Sequence, residues 1–79
     1  MDKHEFEQFV TEHGKDILRF CRMNAGSTER GNELYQDTMV KLLEKQKKLD
    51  VAQNIKSYAM QTAILLWKAR KIRRRSRHF

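Results

Sequence analysis

The sequence predicts an all-α fold, a compact three-helix bundle with short loops, and three observations lead there. The chain has no proline and only three glycines, Gly14, Gly26 and Gly31, so little interrupts a helix. Lys, Glu, Gln, Leu, Met and Ala, all good helix formers, fill nearly half of the remaining positions. Apolar residues recur at steps of three and four in three successive segments separated by short breaks. At 79 residues the chain is read as one domain with a modest core.

The first helix is predicted over about residues 3–25. Phe6, Phe9, Val10, His13, Ile17, Phe20 and Cys21 share one of its faces. Gly26 is a natural stop, because glycine enters the left-handed conformation past a helix end without steric cost. Ser27 or Thr28 then caps a second helix over about 28–48, with Glu29 in the first turn where the helix dipole favours an anion. That helix buries Leu34, Tyr35, Thr38, Met39 and Leu42; Gly31, early in it, costs up to about 1 kcal/mol relative to alanine. Leu49 to Gln53 breaks the pattern, and a short fourth helix over 49–54 stays open. Asn54 caps a third helix over about 54–77, predicted to bury Ile55, Tyr58, Ala59, Thr62, Leu66 and Ala69. Met60, Ile64 and Trp67 line its opposite side, with Lys56, Lys68 and Lys71 around them.

Charge is distributed unevenly. Residues 1–54 hold nine Lys/Arg against ten Asp/Glu, a net of −1, whereas residues 55–79 hold eight Lys/Arg and no acid, a net of +8. Either a solubilising tail or a polyanion-binding end produces that asymmetry. The basic end, residues 68–77, includes Lys68, Lys71, Arg73, Arg74 and Arg75, and cations there would contact phosphates and position the chain without reading sequence. Trp67, an aromatic among cations, is a candidate for stacking on a base. On the second helix Glu33, Gln36, Asp37, Val40 and Glu44 form one polar stripe opposite the buried side, either a solvated face or a partner surface. Lys41 is expected to compensate Asp37, and Lys48 to compensate Glu44.

Other function classes find no support. His4, His13 and His78 are scattered, and the chain has no glycine-rich phosphate loop, Cys-x-x-Cys or His-Glu-x-x-His spacing, so no enzyme, cofactor or metal site is expected. The single cysteine, Cys21, reads as a small buried hydrophobe in a reduced, cytoplasmic setting. The longest apolar run, Ala63 to Trp67, falls far short of the roughly 20 residues that span a bilayer.

The stretch Gly31-Asn32-Glu33-Leu34-Tyr35-Gln36-Asp37-Thr38-Met39-Val40-Lys41-Leu42-Leu43 resembles the Ala-Glu-Asp-Leu-Val-Gln-Asp-Thr-Phe-Leu-Lys-Leu pattern of extracytoplasmic-function (ECF) type bacterial sigma factors, in their region two. Asn54 to Ala63, followed by Arg70 to Arg75, is similar to that family's Trp-Leu-x-x-Ile-Ala helix and its basic end. The resemblance covers roughly residues 5–77. It implies a transcription-initiation module in which the outer face of the second helix, Glu33, Gln36 and Asp37 with Val40 and Glu44, docks on the clamp helices of the RNA polymerase β′ subunit. The loop Lys48–Lys56, with Asp50, Gln53, Asn54 and Lys56, would capture a base flipped from the promoter −10 element. The third helix, with Tyr58, Gln61, Trp67, Lys68 and the arginines beyond, would hold the non-template strand. Tyr58 matches the family's aromatic position and also lies on the predicted core face, so burial competes with base contact there. An anti-sigma factor is a further implied partner. Three positions depart from the pattern: Glu33 stands where the family usually has Asp, Ala59 replaces Leu, and Leu65 stands where many members carry Asn. No residues are left for the C-terminal helix-turn-helix domain such factors carry, so a single region-two-like domain over 1–79 is expected, whether excised or naturally short.

Overall fold

Local chemistry sets the helix boundaries. The computed structural model describes residues 1–50 and 53–76, with side chains as far as Arg70. Helix α1 spans Lys3–Ala25 and opens on a reciprocal capping box. The Glu5 amide donates to Asp2 Oδ1 at 2.7 Å, and the Asp2 amide donates to Glu5 Oε1 at 3.0 Å. Gly26 ends α1 with φ 77°, the only left-handed residue of the described backbone. Ser27 immediately caps α2, Thr28–Glu44, its hydroxyl accepting from the Arg30 amide at 3.2 Å. A two-residue joint therefore sends α2 back along α1.

Helix α2 stops at Glu44, four residues before the predicted end. The chain tightens into a 3-10 turn, Gln46–Lys48, whose exit drops Leu49 into the core. Holding an α-helix to Lys48 would swing Leu49 away from that site. The turn lies ahead of the 49–54 segment where a fourth helix was left open, and the described residues of that segment are not helical. Asn54 Oδ1 accepts from the Ser57 amide at 3.1 Å, and α3 then runs Ile55–Ser76, antiparallel to α2.

Phe9, Ile17, Cys21, Ala25, Leu34, Leu42, Leu49, Ile55, Ala59, Ala63 and Trp67 make the core. The faces predicted for the first two helices are those observed, with Tyr35 and Met39 packed at the core's edge. Thr38 is fully buried, and its hydroxyl donates to the Leu34 carbonyl at 2.7 Å, leaving no polar atom there without a partner. Gly31 lies at a close approach of α1 and α2: a Cβ there would stand 2.4 Å from Arg22 Cα. Its glycine is required by close approach and not by backbone conformation.

The third helix is turned relative to the sequence expectation. Its innermost stripe is Ile55, Ala59, Ala63 and Trp67, at strict i,i+4 spacing. Tyr58, Thr62 and Leu66 are only half-buried on one flank, Met60 and Ile64 half-buried on the other, and Ala69 is exposed. Trp67, expected at an exposed edge, is 9% exposed. The small residues Ala59 and Ala63 bring α3 close to its neighbours, and the indole closes the end of the stripe they begin.

Candidate functional site

The outward side of α2 holds Glu33, Gln36, Asp37, Val40 and Glu44 as predicted, every one exposed. Val40 (52% exposed) and Leu43 (56%) add an apolar strip beside the acids. Such a surface, polar with an apolar ridge, is what a protein partner can desolvate. Its ion pairs differ from expectation. Lys41 pairs with Glu44 at 3.7 Å, and Lys48 lies beyond the end of α2, where the i,i+4 relation to Glu44 is lost. Asp37 is met by Arg70 of α3 and not by Lys41; Arg70 Nη1 also stands 3.7 Å from Glu33 Oε2. Position 70 follows the buried Trp67 by one helical turn, which carries the guanidinium over the core's end onto α2.

On the other side of the molecule, α1 and the entry to α3 enclose a cleft of about 350 Å³. Gln53, Asn54 and Lys56 line one wall; Gln8, Phe9 and Glu12 belong to the other. Of the residues expected to meet DNA here, Gln53 is exposed and its amide closes a turn onto the Asp50 carbonyl at 2.9 Å. Asp50 is exposed as well. Asn54 has a structural role as the α3 cap. Lys56 Nζ is bonded to Asp16 Oδ2 at 2.9 Å, so its charge is already answered from α1. The Lys56 hydrogen bond and charge hold the Asp16 carboxyl below its ordinary range. Burial raises the Cys21 thiol, partly opposed by a hydrogen bond with Thr38, and burial likewise raises the Tyr35 phenol.

Along the outer surface of α3, Gln61, Leu65 and Lys68 face solvent. Tyr58 flanks a second groove, about 400 Å³, between the end of α2 and α3, with Lys41, Lys45 and Leu65 also lining it. Lys45 Nζ lies 5.9 Å from the Tyr58 ring centroid, a cation–π distance. Tyr58 thus has one face against the bundle and one toward the groove, which accommodates both roles weighed for it. Trp67 is removed from the set of surface contacts: a base could stack on it only after the core opened. The α3 backbone continues helical to Ser76, while the side chains of Lys71, Arg73, Arg74 and Arg75 lie outside the described residues.

Sequence reasoning missed Asp16, Lys45 and Arg70. Asp16 and Arg70 act through contacts 40 and 33 residues apart in sequence, which helical periodicity cannot see. Only Arg70 had a signal, as the first arginine of the basic run.

Among the described residues no group of three His, Cys, Asp or Glu is placed to hold a metal, and no helix is long and apolar enough to cross a membrane. A small helical module with one acidic-apolar flank and a basic end in its sequence offers separate surfaces on which a protein and a polyanion could bind. Residues 9–78 match the family described as Sigma-70 region 2, and the chain belongs to that family. No curated protein and no solved structure matches the chain. As a sigma region-two domain it is non-enzymatic: it binds RNA polymerase and recognises and melts the promoter −10 element in transcription initiation.

Proposed function

We propose that the chain is region two of an ECF-type sigma factor, acting in the cytoplasm, and that its two flanks divide the work. The outward side of α2, through Glu33, Gln36, Asp37, Val40 and Glu44, docks on the clamp helices of the β′ subunit. The exposure of all five on one helical face is the observation that carries this assignment. The same face is the one an anti-sigma factor would cover. The 48–56 loop, in which Asp50 and Gln53 are exposed, captures a base flipped from the −10 element, and the adjoining cleft supplies room for it. Flipping costs a few kcal/mol of unstacking, which base stacking of about 1–3 kcal/mol and phosphate contacts can offset. Tyr58, Gln61 and Lys68, followed by Lys71, Arg73, Arg74 and Arg75, hold the non-template strand. Asn54 and Lys56 support that surface by capping α3 and by tying it to α1.

Changing Glu33, Gln36 and Asp37 together to alanine is expected to abolish capture of core polymerase while helical circular dichroism is retained, since all three are exposed. Undiminished capture by the folded variant would remove the docking assignment. For DNA, single-stranded oligonucleotides with different −10 sequences are expected to bind with different affinities, and substitutions at Asp50 and Gln53 to change that ranking. Equal affinity for all of them would reduce the DNA contact to non-specific charge.

A further inference from the structure

Arg70 belongs to the basic end of the chain, yet its side chain is folded back onto the acidic face of α2. One guanidinium answers two carboxylates, Glu33 at 3.7 Å through Nη1 and Asp37 through Nη2. These are two of the residues assigned above to polymerase docking. The cation belongs to the helix assigned to DNA, one turn ahead of Arg73 and Arg74.

We infer that Arg70 is a shared positioning residue that couples the two binding faces: polymerase docking releases it toward DNA phosphates, and phosphate capture releases Glu33 and Asp37 toward polymerase. The inference rests on the docking assignment for α2. Its physical basis is competition for one charge. A partner cation that pairs with Asp37 must displace Arg70 or share the carboxylate with it. A displaced Arg70 lies at the root of a cationic helix, where a phosphate is the nearest strong alternative. Coupling of this kind is reciprocal by thermodynamic necessity.

The exposures decide whether such an exchange is feasible. The Arg70 side chain is 27% exposed, and those of Glu33 and Asp37 are 60% and 49% exposed. Pairs so open to water are weak, and a weak pair can be traded. A fully buried bridge would hold its arginine whatever was bound. The i,i+4 spacing of Glu33 and Asp37 adds a second element: without a cation between them the two carboxylates repel, so an undocked α2 favours keeping Arg70.

A double-mutant cycle on the 79-residue chain tests this, with a labelled single-stranded DNA of random sequence as the probe. The arms are wild type, the Glu33→Gln/Asp37→Asn pair, Arg70→Gln, and the combination of all three, each checked for helical content. Neutralising the acids is expected to raise DNA affinity about two- to fivefold, the scale of an exposed ion pair. The log–log salt slope should steepen by about 0.7, the value for one added single-strand phosphate contact. Both gains should vanish in the Arg70→Gln background. Equal gains in both backgrounds would show that the acids only repel DNA at long range, and would overturn the inference. So would a fall in melting temperature with no gain in DNA binding, the mark of a merely structural bridge. In a second arm, Arg70→Gln is expected to tighten binding to core polymerase about two- to fivefold, because the acids no longer have an internal competitor. Failure of the DNA cycle, with polymerase binding lost on neutralising Glu33 and Asp37, overturns the coupling and keeps the docking face. An intact cycle with polymerase binding indifferent to all of these changes overturns the docking face and the coupling with it, leaving only a competition between the acids and phosphate for Arg70.

Discussion

Replacing Gly31 with alanine gives opposite predictions from sequence and from structure. A glycine inside a helix costs up to about 1 kcal/mol relative to alanine, so sequence alone predicts that the change stabilises α2. In the fold the added Cβ would stand 2.4 Å from Arg22 Cα and 2.8 Å from Arg22 N, both backbone atoms that cannot swing aside. Restoring ordinary contact at 3.4 Å requires α1 and α2 to separate by about 1 Å at this point. The buried Cys21, Ala25 and Leu34 pack nearby, so separation loosens contacts that the core depends on. Overpacking costs about 1–3 kcal/mol, and a clash with two backbone atoms belongs in the upper part of that range, so after the propensity gain the variant is destabilised by about 1–2 kcal/mol. For a domain of this size each kcal/mol corresponds to roughly 4–8 °C in melting temperature. Thermal and urea unfolding followed by helical circular dichroism measure the difference. A Gly31→Ala domain as stable as the wild type, or more so, would falsify the close-approach argument. The displacement also bears on the proposed function: Glu33 is only two residues further on, so the face proposed to dock on polymerase should shift with it.

Three further outcomes are expected. Trp67→Ala should cost about 3–5 kcal/mol, as loss of a large buried aromatic does, whereas Trp67→Phe should keep both the fold and single-stranded DNA affinity; selective loss of DNA binding by a stably folded Trp67→Phe variant would return the indole to the contact surface. Asp16 has its folded pKa held below the ordinary 3.8, so its pairing with Lys56 stabilises the domain above that value and is lost as pH falls through the lower folded one. Lys56→Met should therefore be less stable than wild type at neutral pH, with the gap closing in acid, and a gap that widens in acid would contradict the assignment. Cys21 is fully buried with its thiol raised, so a thiol reagent should modify it far more slowly in the folded domain than in urea, and equal rates would show that α1 and α2 open freely.

The first two helices were legible because their signals are local. Gly26 followed by Ser27 marks a stop and a start within two residues, and the apolar steps of three and four identify the buried faces. The exposed stripe on α2 followed from the same periodicity, since a face opposite a core has nowhere else to point. The third helix was harder to orient. Apolar residues surround it almost completely, and in such a helix periodicity does not choose between the Tyr58–Leu66 flank and the Ala59–Trp67 stripe. Tertiary packing chose the alanines, whose small size carries little weight in a hydrophobicity reading yet determines how closely helices approach. The end of α2 was overestimated because the Lys45–Lys48 run is helix-compatible by propensity, while the requirement to bury Leu49 is a property of the whole fold. The Asp16–Lys56 and Arg70 bridges join distant segments, so only the folded chain brings them together. The Sigma-70 region 2 match, in contrast, covers the α2 motif that carried the resemblance.

The two-residue joint at Gly26-Ser27 also orders events in time. Contacts between α1 and α2 close a very short loop, whereas α3 reaches α1 only through partners such as Lys56 and Asp16, 40 residues apart. During synthesis α1 and α2 can pair before α3 has left the ribosome. The half that presents Glu33 and Asp37 thus closes by local contacts, and the cationic helix must close the longer loop onto it.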